Sequence, residues 1–229
     1  MRNANRGIPS QDKRKLRQCA TVLFAVALTS LAGCTTGSRA TADGIKLLFT
    51  RDPSPTEAQI AANRFPQAYV TADDISGVIV LGYVDDGQQV WYAGNHAILH
   101  SNAEGLFSGI SKDGEAYESQ IVGSSPFQNL NTITAATQVS RKYDWLPDYK
   151  MGVEVTGTLA RVGRETVEIG GRSMELIRFK EQLHGGGMSG TNTYWVDPGT
   201  GFIWKSKQYL APDYAIEVVQ LKPYKPAGR

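Results

Sequence analysis

Cysteine is nearly absent from this 229-residue chain, which has only Cys19 and Cys34. That count excludes a disulfide-stapled scaffold and a thiolate metal cluster. Histidine is almost as scarce, at three residues. His96 and His100 stand four apart, but their segment reads as turn and strand, and no acidic or sulfur partner stands at a supporting spacing, so no metal site is expected. No apolar run reaches the roughly 20 residues that carry a helix across a bilayer. A G-x-S-x-G nucleophile motif is also lacking: Gly187-Met188-Ser189-Gly190 is one position short. The run Gly185-Gly186-Gly187 does not open a helix, so it reads as a hairpin loop or a close backbone approach, not a phosphate cradle. The acidic pairs Asp73-Asp74, Asp85-Asp86 and Glu115/Glu118 fall at turns or on polar strand faces. No catalytic residue and no cofactor is assigned, and the chain reads as a non-enzyme.

The charge is unevenly placed. The whole chain sums to +2, but residues 1–33 hold six cations against Asp12, or +5, which leaves −3 for the remainder. The basic excess therefore belongs to the leading segment, and a nucleic-acid partner is not expected.

That leading segment is informative. The apolar run ATVLFAVALTSL (20–31) is about a dozen residues long, follows basic residues and ends in small ones. This is the layout of a secretory signal peptide. Leu31-Ala32-Gly33-Cys34 sharpens it, because it matches the bacterial lipobox. There Cys34 receives a diacylglyceryl group and cleavage falls before it. More than one acyl chain is what stable anchoring needs, at about 0.8 kcal/mol for each buried methylene. Thr35 at the next position favours the outer membrane over retention at the inner one. The expected organisation is a signal peptide over 1–33, a lipidated Cys34 and flexible tether over 34–50, one β-rich domain over 51–223, and a tail over 224–229.

Within the domain, SPTEAQIAANRF (54–65) carries helix-start signals, with Ser54 as the cap, Pro55 at the first position and Glu57 three residues on. From Gly77 the period changes to that of strands. GVIVLGYV (77–84) and QQVWYA (88–93) flank a turn, and the rhythm continues to AIEVVQLKP (215–223). Gly163-Arg164 reads as a turn between VEVTGTLARV (153–162) and ETVEIG (165–170). The expected class is all-β and mainly antiparallel: a strongly curved sheet, an open barrel or sandwich of about ten strands, with one short N-terminal helix. Aromatic residues cluster late. Trp195, Trp204, Tyr209 and Tyr214 read as core packing or as a glycan- or partner-binding surface, with Trp195 and Trp204 on one face of a hairpin.

Tyr194-Trp195 with Asp197, then Gln208-Tyr209-Leu210 and Asp213-Tyr214, together with Asp86-Gly87-Gln88-Gln89 and Trp91, resemble the YjbF/GfcB family of bacterial lipoproteins. The resemblance implies a periplasm-facing, lipid-anchored outer-membrane protein that supports exopolysaccharide or group 4 capsule production. Its implied companions are an outer-membrane β-barrel and a periplasmic protein, and the polysaccharide is a further candidate partner. Only Cys34 transfers as a functional position. The chain is thus expected to be a non-catalytic interaction module. A lipid carrier with a half-open barrel is the alternative, which a solid core would rule out, and an enzyme acting on polysaccharide is the third reading.

Overall fold

The computed structural model describes residues 55–146 and 148–225. The signal peptide, Cys34, the tether, Ser54 and the end of the tail lie outside the described residues.

A short helix, α1 (Glu57–Ala62), comes first. Its cap is Thr56, not Ser54. The Thr56 hydroxyl accepts from the Gln59 backbone N–H, and the Gln59 side chain accepts from the Thr56 N–H at 2.8 Å. Thr56-x-x-Gln59 is therefore the reciprocal box that satisfies two free donors of the first turn.

Twelve strands follow: β1 (Gln67–Thr71), β2 (Ser76–Asp85), β3 (Gln88–Ala93), β4 (Ala97–Ser101), β5 (Phe107–Lys112), β6 (Glu115–Ile121), β7 (Thr137–Trp145), β8 (Lys150–Ile169), β9 (Arg172–His184), β10 (Thr191–Val196), β11 (Ile203–Ala211) and β12 (Tyr214–Lys222). A 3-10 segment (Pro126–Thr132) links β6 to β7. Each strand pairs antiparallel with the next, and β1 pairs with β12, so the sheet closes into a barrel. The expected all-β antiparallel class with one short helix is what forms. The count is twelve instead of about ten, and the barrel is closed instead of open. The closing strand is QAYVT (67–71), which the sequence reading missed.

Turn chemistry sets the meander. Asp86-Gly87, Asp113-Gly114 and Gly170-Gly171 are two-residue loops with both residues at positive φ, the geometry that matches strand twist. Gly163-Arg164 is not a turn. β8 runs through it, and the register against β9 shifts between Arg161 and Gly163. Similar shifts occur in six other strand pairs and supply the curvature closure needs.

A twelve-stranded circular barrel would enclose a channel. This one is flattened, and β11 packs across the lumen against β5, β6 and β7. Trp145 Nε1 of β7 donates to the Leu210 carbonyl of β11 at 2.6 Å, directly across the interior. The filling is in two parts. Trp91, Phe107, Tyr143, Trp145 and Ile216 lie in one cluster, and Phe127, Leu130, Phe179, Tyr194 and Val196 in the other. Phe127 and Leu130 come from the 3-10 segment and plug one end of the barrel. At that end Ile60 of α1 is buried beside Gly170 of the β8–β9 turn, and Lys222 Nζ donates to the Asn63 carbonyl at 2.9 Å.

The opposite end carries the β9–β10 loop. Gly185, Gly186 and Gly187 all have positive φ, and Met188 turns inward to fill the mouth. A Cβ on Gly186 would overlap the Val153 side chain, whereas one on Gly187 meets nothing nearer than Pro212 Cγ at 3.9 Å. This loop is thus a close backbone approach. Gly186→Ala is expected to cost about 2–3 kcal/mol and Gly187→Ala about 1 kcal/mol. Thermal unfolding of both variants checks the difference, and equal losses would show that backbone strain alone governs the loop.

Candidate functional site

Alternation along β7 and β9 places Val139, Arg141, Tyr143 and Trp145, and likewise Phe179, Glu181 and Leu183, toward the lumen. Arg141 and Glu181 thereby meet between the two apolar clusters, with side chains 1% and 0% exposed. The contact is a two-pronged fork. Arg141 Nε donates to Glu181 Oε1 at 2.7 Å and Nη2 donates to Oε2 at 2.9 Å. Tyr194 OH and Asn192 Nδ2 also donate to Oε2, at 2.7 and 3.0 Å. The Asn192 Oδ1 accepts from the Tyr209 backbone N–H at 2.8 Å. The Arg141 guanidinium lies 5.2 Å from the Phe127 ring centre.

Burial opposes charge on both partners, but the neighbours outweigh it, Tyr194 and Glu181 for Arg141 and chiefly Arg141 for Glu181. Glu181 is thereby held below the ordinary carboxylate range and Arg141 above its own. Burial pushes the Tyr194 and Tyr143 hydroxyls upward. Tyr143 OH makes no hydrogen bond, although Ser119 and Asn192 face it. The cluster is sealed from solvent and organises the core.

Asp74, Lys112, Glu115, Tyr117 and Tyr214 form a second cluster at the mouth opposite α1. Lys112 Nζ bridges Asp74 and Glu115, the latter at 2.9 Å. Burial disfavours its charge, but the two carboxylates outweigh that and raise its pKa. Tyr214 OH donates to Asp74 Oδ1 at 3.1 Å, and its ring stacks on Tyr117 at 4.6 Å. Burial and Asp74 raise the Tyr214 hydroxyl pKa. These bonds latch β12 to the β1–β2 turn. Beside them lies an open pocket of about 720 Å³, with Val70, Ala93 and Ala97 in its lining and Asp73, Asp74 and Asp113 at its rim.

The outer face is divided by charge. Residues 55–136, with β1–β6, hold two cations against nine carboxylates, net −7. Residues 137–225, with β7–β12, hold twelve against ten, net +2. Each set of strands is contiguous around the barrel, so the surface has an acidic half and a cationic half.

The four aromatic residues expected to share a surface are separated. Trp195 faces outward on β10, half-buried, with Lys205 Nζ 5.0 Å from its ring centre. Its Nε1–H is shielded and has no acceptor. Trp204 is the extra residue of the β10–β11 bulge, edge-on to Phe202 at 5.4 Å and beneath Arg172 at 5.6 Å. Tyr209 covers Gly190 farther along β11, so a Cβ there would stand 2.6 Å from its ring. Tyr214 is 8% exposed inside the mouth latch and is not a surface residue. Trp195 and Trp204 remain as neighbours by register.

His96 lies exposed at the β3–β4 turn and His100 on the outer side of β4. No group of three metal-ligating side chains forms among the described residues. Cys34 and Leu31-Ala32-Gly33 lie outside them.

A family model described as "Group 4 capsule polysaccharide lipoprotein gfcB, YjbF" matches residues 20–221. The chain belongs to this family. An uncharacterized lipoprotein GfcB of Escherichia coli (strain K12) is 26% identical over 200 residues, covering 84% of this chain and 94% of the relative. The crystal structure of the hypothetical lipoprotein YmcC from Escherichia coli (K12) superposes with a TM-score of 0.66 at 26% identity, covering 74% of this chain and 90% of the other. The YjbF membership bears out the resemblance and the association with group 4 capsule. The Arg141–Glu181 layer was missed because lone charges in alternating strands read as solvent-facing. The available signal was their parity, since each stands in phase with the large apolar residues of its own strand.

Glu181→Gln is expected to lower stability by about 3–5 kcal/mol, because Arg141 is left buried without a counter-charge. The double change Arg141→Met with Glu181→Leu should cost less than the sum of the two single changes. The folded pKa of Glu181 is depressed, so its contribution is complete above the ordinary carboxylate range and is lost as pH falls through and below that range. Denaturant titrations from neutral to acid pH check this. A Glu181→Gln variant with the acid slope of the unmodified chain would sink the assignment.

Proposed function

We propose that this YjbF-family lipoprotein is a non-catalytic interaction module, held on the periplasmic face of the outer membrane through Cys34, that supports production or export of a group 4 capsule polysaccharide. The single observation that carries the reading is the contrast between interior and surface. The centre of the barrel is filled by large side chains, its buried ion pair is sealed, and the charged and aromatic features that a partner could meet lie on the outside. Family membership supplies the process and the lipoprotein class.

The filled centre weighs against the carrier reading, since Trp91, Tyr143, Trp145 and Phe179 occupy the central volume, and the open mouth pocket of about 720 Å³ has Asp73, Asp74, Lys112 and Asp113 in its lining beside its apolar groups. The enzyme reading needs two free carboxylates facing each other in a groove. At the mouth pocket Asp74 is tied to Lys112 and Tyr214, which leaves Asp73 and Asp113 as the carboxylates in the lining without an ion pair among the described residues. An outer-membrane β-barrel and a periplasmic companion are the proposed partners.

Deleting the gene should reduce surface polysaccharide under conditions where the polysaccharide is made, with restoration by the intact chain. Unchanged polysaccharide would overturn the reading. Cys34→Ser should abolish incorporation of labelled fatty acid and move the protein from the membrane to the soluble fraction, since anchoring by acyl chains is lost. Retention in the outer-membrane fraction without label would assign the attachment to the protein surface instead.

A further inference from the structure

We propose that the outer face of β9, β10 and β11 binds an acidic polysaccharide, with Lys180 and Lys207 as the groups that meet its anionic units. The inference deepens the interaction-module reading above and rests on it.

Register places the residues. Trp195 of β10 stands directly opposite Arg178 of β9 and Lys205 of β11. One step along, Thr193 stands between Lys180 and Lys207 in a single row across the three strands. All face outward, because the alternating Phe179, Glu181, Asn192, Tyr194, Ser206 and Gln208 are buried. Four cations therefore surround one indole. Two are already held, Arg178 by Glu165 at 2.7 Å and Lys205 by Glu217 at 2.8 Å. Lys180 and Lys207 form no ion pair among the described residues. They are two strand spacings apart, about 10 Å.

An unpaired ammonium on each side of a hydroxyl row suits a linear polymer that carries anionic groups and sugar hydroxyls. Thr191 and Gln182, bonded to each other at 2.8 Å, continue that polar row. The face is an open sheet surface, which fits an extended chain better than a small enclosed ligand. It also lies on the half of the barrel that sums to +2 and away from the half that sums to −7, and Glu217, which stands opposite Lys207 on β12, is already held by Lys205. A bilayer fits less well, because Trp195 lies half-buried and does not project from the sheet.

The test uses the full chain purified in detergent, with polygalacturonate as the acidic probe, dextran as the neutral one, and vesicles of phosphatidylglycerol with phosphatidylcholine as the membrane. Calorimetry and co-sedimentation read the binding. Polygalacturonate should bind, with affinity falling as salt rises, and dextran should not. Lys180→Glu with Lys207→Glu should weaken binding roughly tenfold or more, whereas Arg64→Glu with Lys142→Glu, the same change in net charge elsewhere, should leave it nearly intact. Circular dichroism should show both doubly substituted chains folded, as expected for exposed positions. Equal losses in the two variants, equal binding of dextran, or a loss of vesicle binding alone would overturn the proposal. In cells, normal capsule in the Lys180/Lys207 variant, where the deletion reduces it, would end this inference and leave the interaction-module reading standing.

Discussion

The Arg141–Glu181 pair is the constraint on which the rest of the barrel depends. Two charges taken out of water cost several kcal/mol each, and a flattened barrel tolerates them only if both oxygens of the carboxylate are met by donors. Here it is, by the guanidinium fork, by Tyr194 and by Asn192. The demands then spread outward. A side chain on Gly157 would collide with the Glu181 carboxylate, so β8 has glycine at that point. The register of β7, β9 and β10 is fixed, because a one-residue slip would turn Arg141, Glu181 or Asn192 toward the wrong face. Above and below the pair the interior is mainly apolar, with Gln89 and Ser101 buried beside Trp91, and the two clusters are separated by this polar layer.

An interior committed in this way leaves recognition to the surface. The meander makes surface partition simple, because strands neighbouring in sequence also neighbour in space. A carboxylate-rich first half and a lysine- and arginine-rich second half therefore become two sides of one body without any long-range crossover. The lysines and arginines of the second half are also the groups that pack over its outer tryptophans, with Lys205 on Trp195 and Arg172 on Trp204. An aromatic side chain on such a face holds a cation's stem in place as much as it offers a stacking surface of its own.

Much of this was legible in the sequence. Asp-Gly turns and period-two alternation mark the hairpins, and they do so because two-residue turns and one-sided burial are local rules. What escaped depends on partners distant in sequence. QAYVT (67–71) is short and follows a proline, and it becomes a strand by pairing with β2 and β12 together. Gly163-Arg164 carries the local marks of a turn, yet β9 continues opposite it and converts it to a bulge. Tyr214 looks like its aromatic neighbours until the barrel closes and brings Tyr117 and Asp74 against it. The lumen-facing charges were encoded by parity, but a single strand cannot reveal that an opposite charge stands in phase two strands away.

Closure between β1 and β12 has a kinetic meaning as well. The seam joins residues 67–71 to residues 217–222, so nearly the whole domain lies between the two strands that seal it. No subset of consecutive strands is free of raw edges, and an unfinished chain presents both at once. Only this seam is distant in sequence, and closing so long a loop makes it slow to complete. The last strand to emerge during synthesis is therefore the one that ends the molecule's exposure to edge-to-edge aggregation.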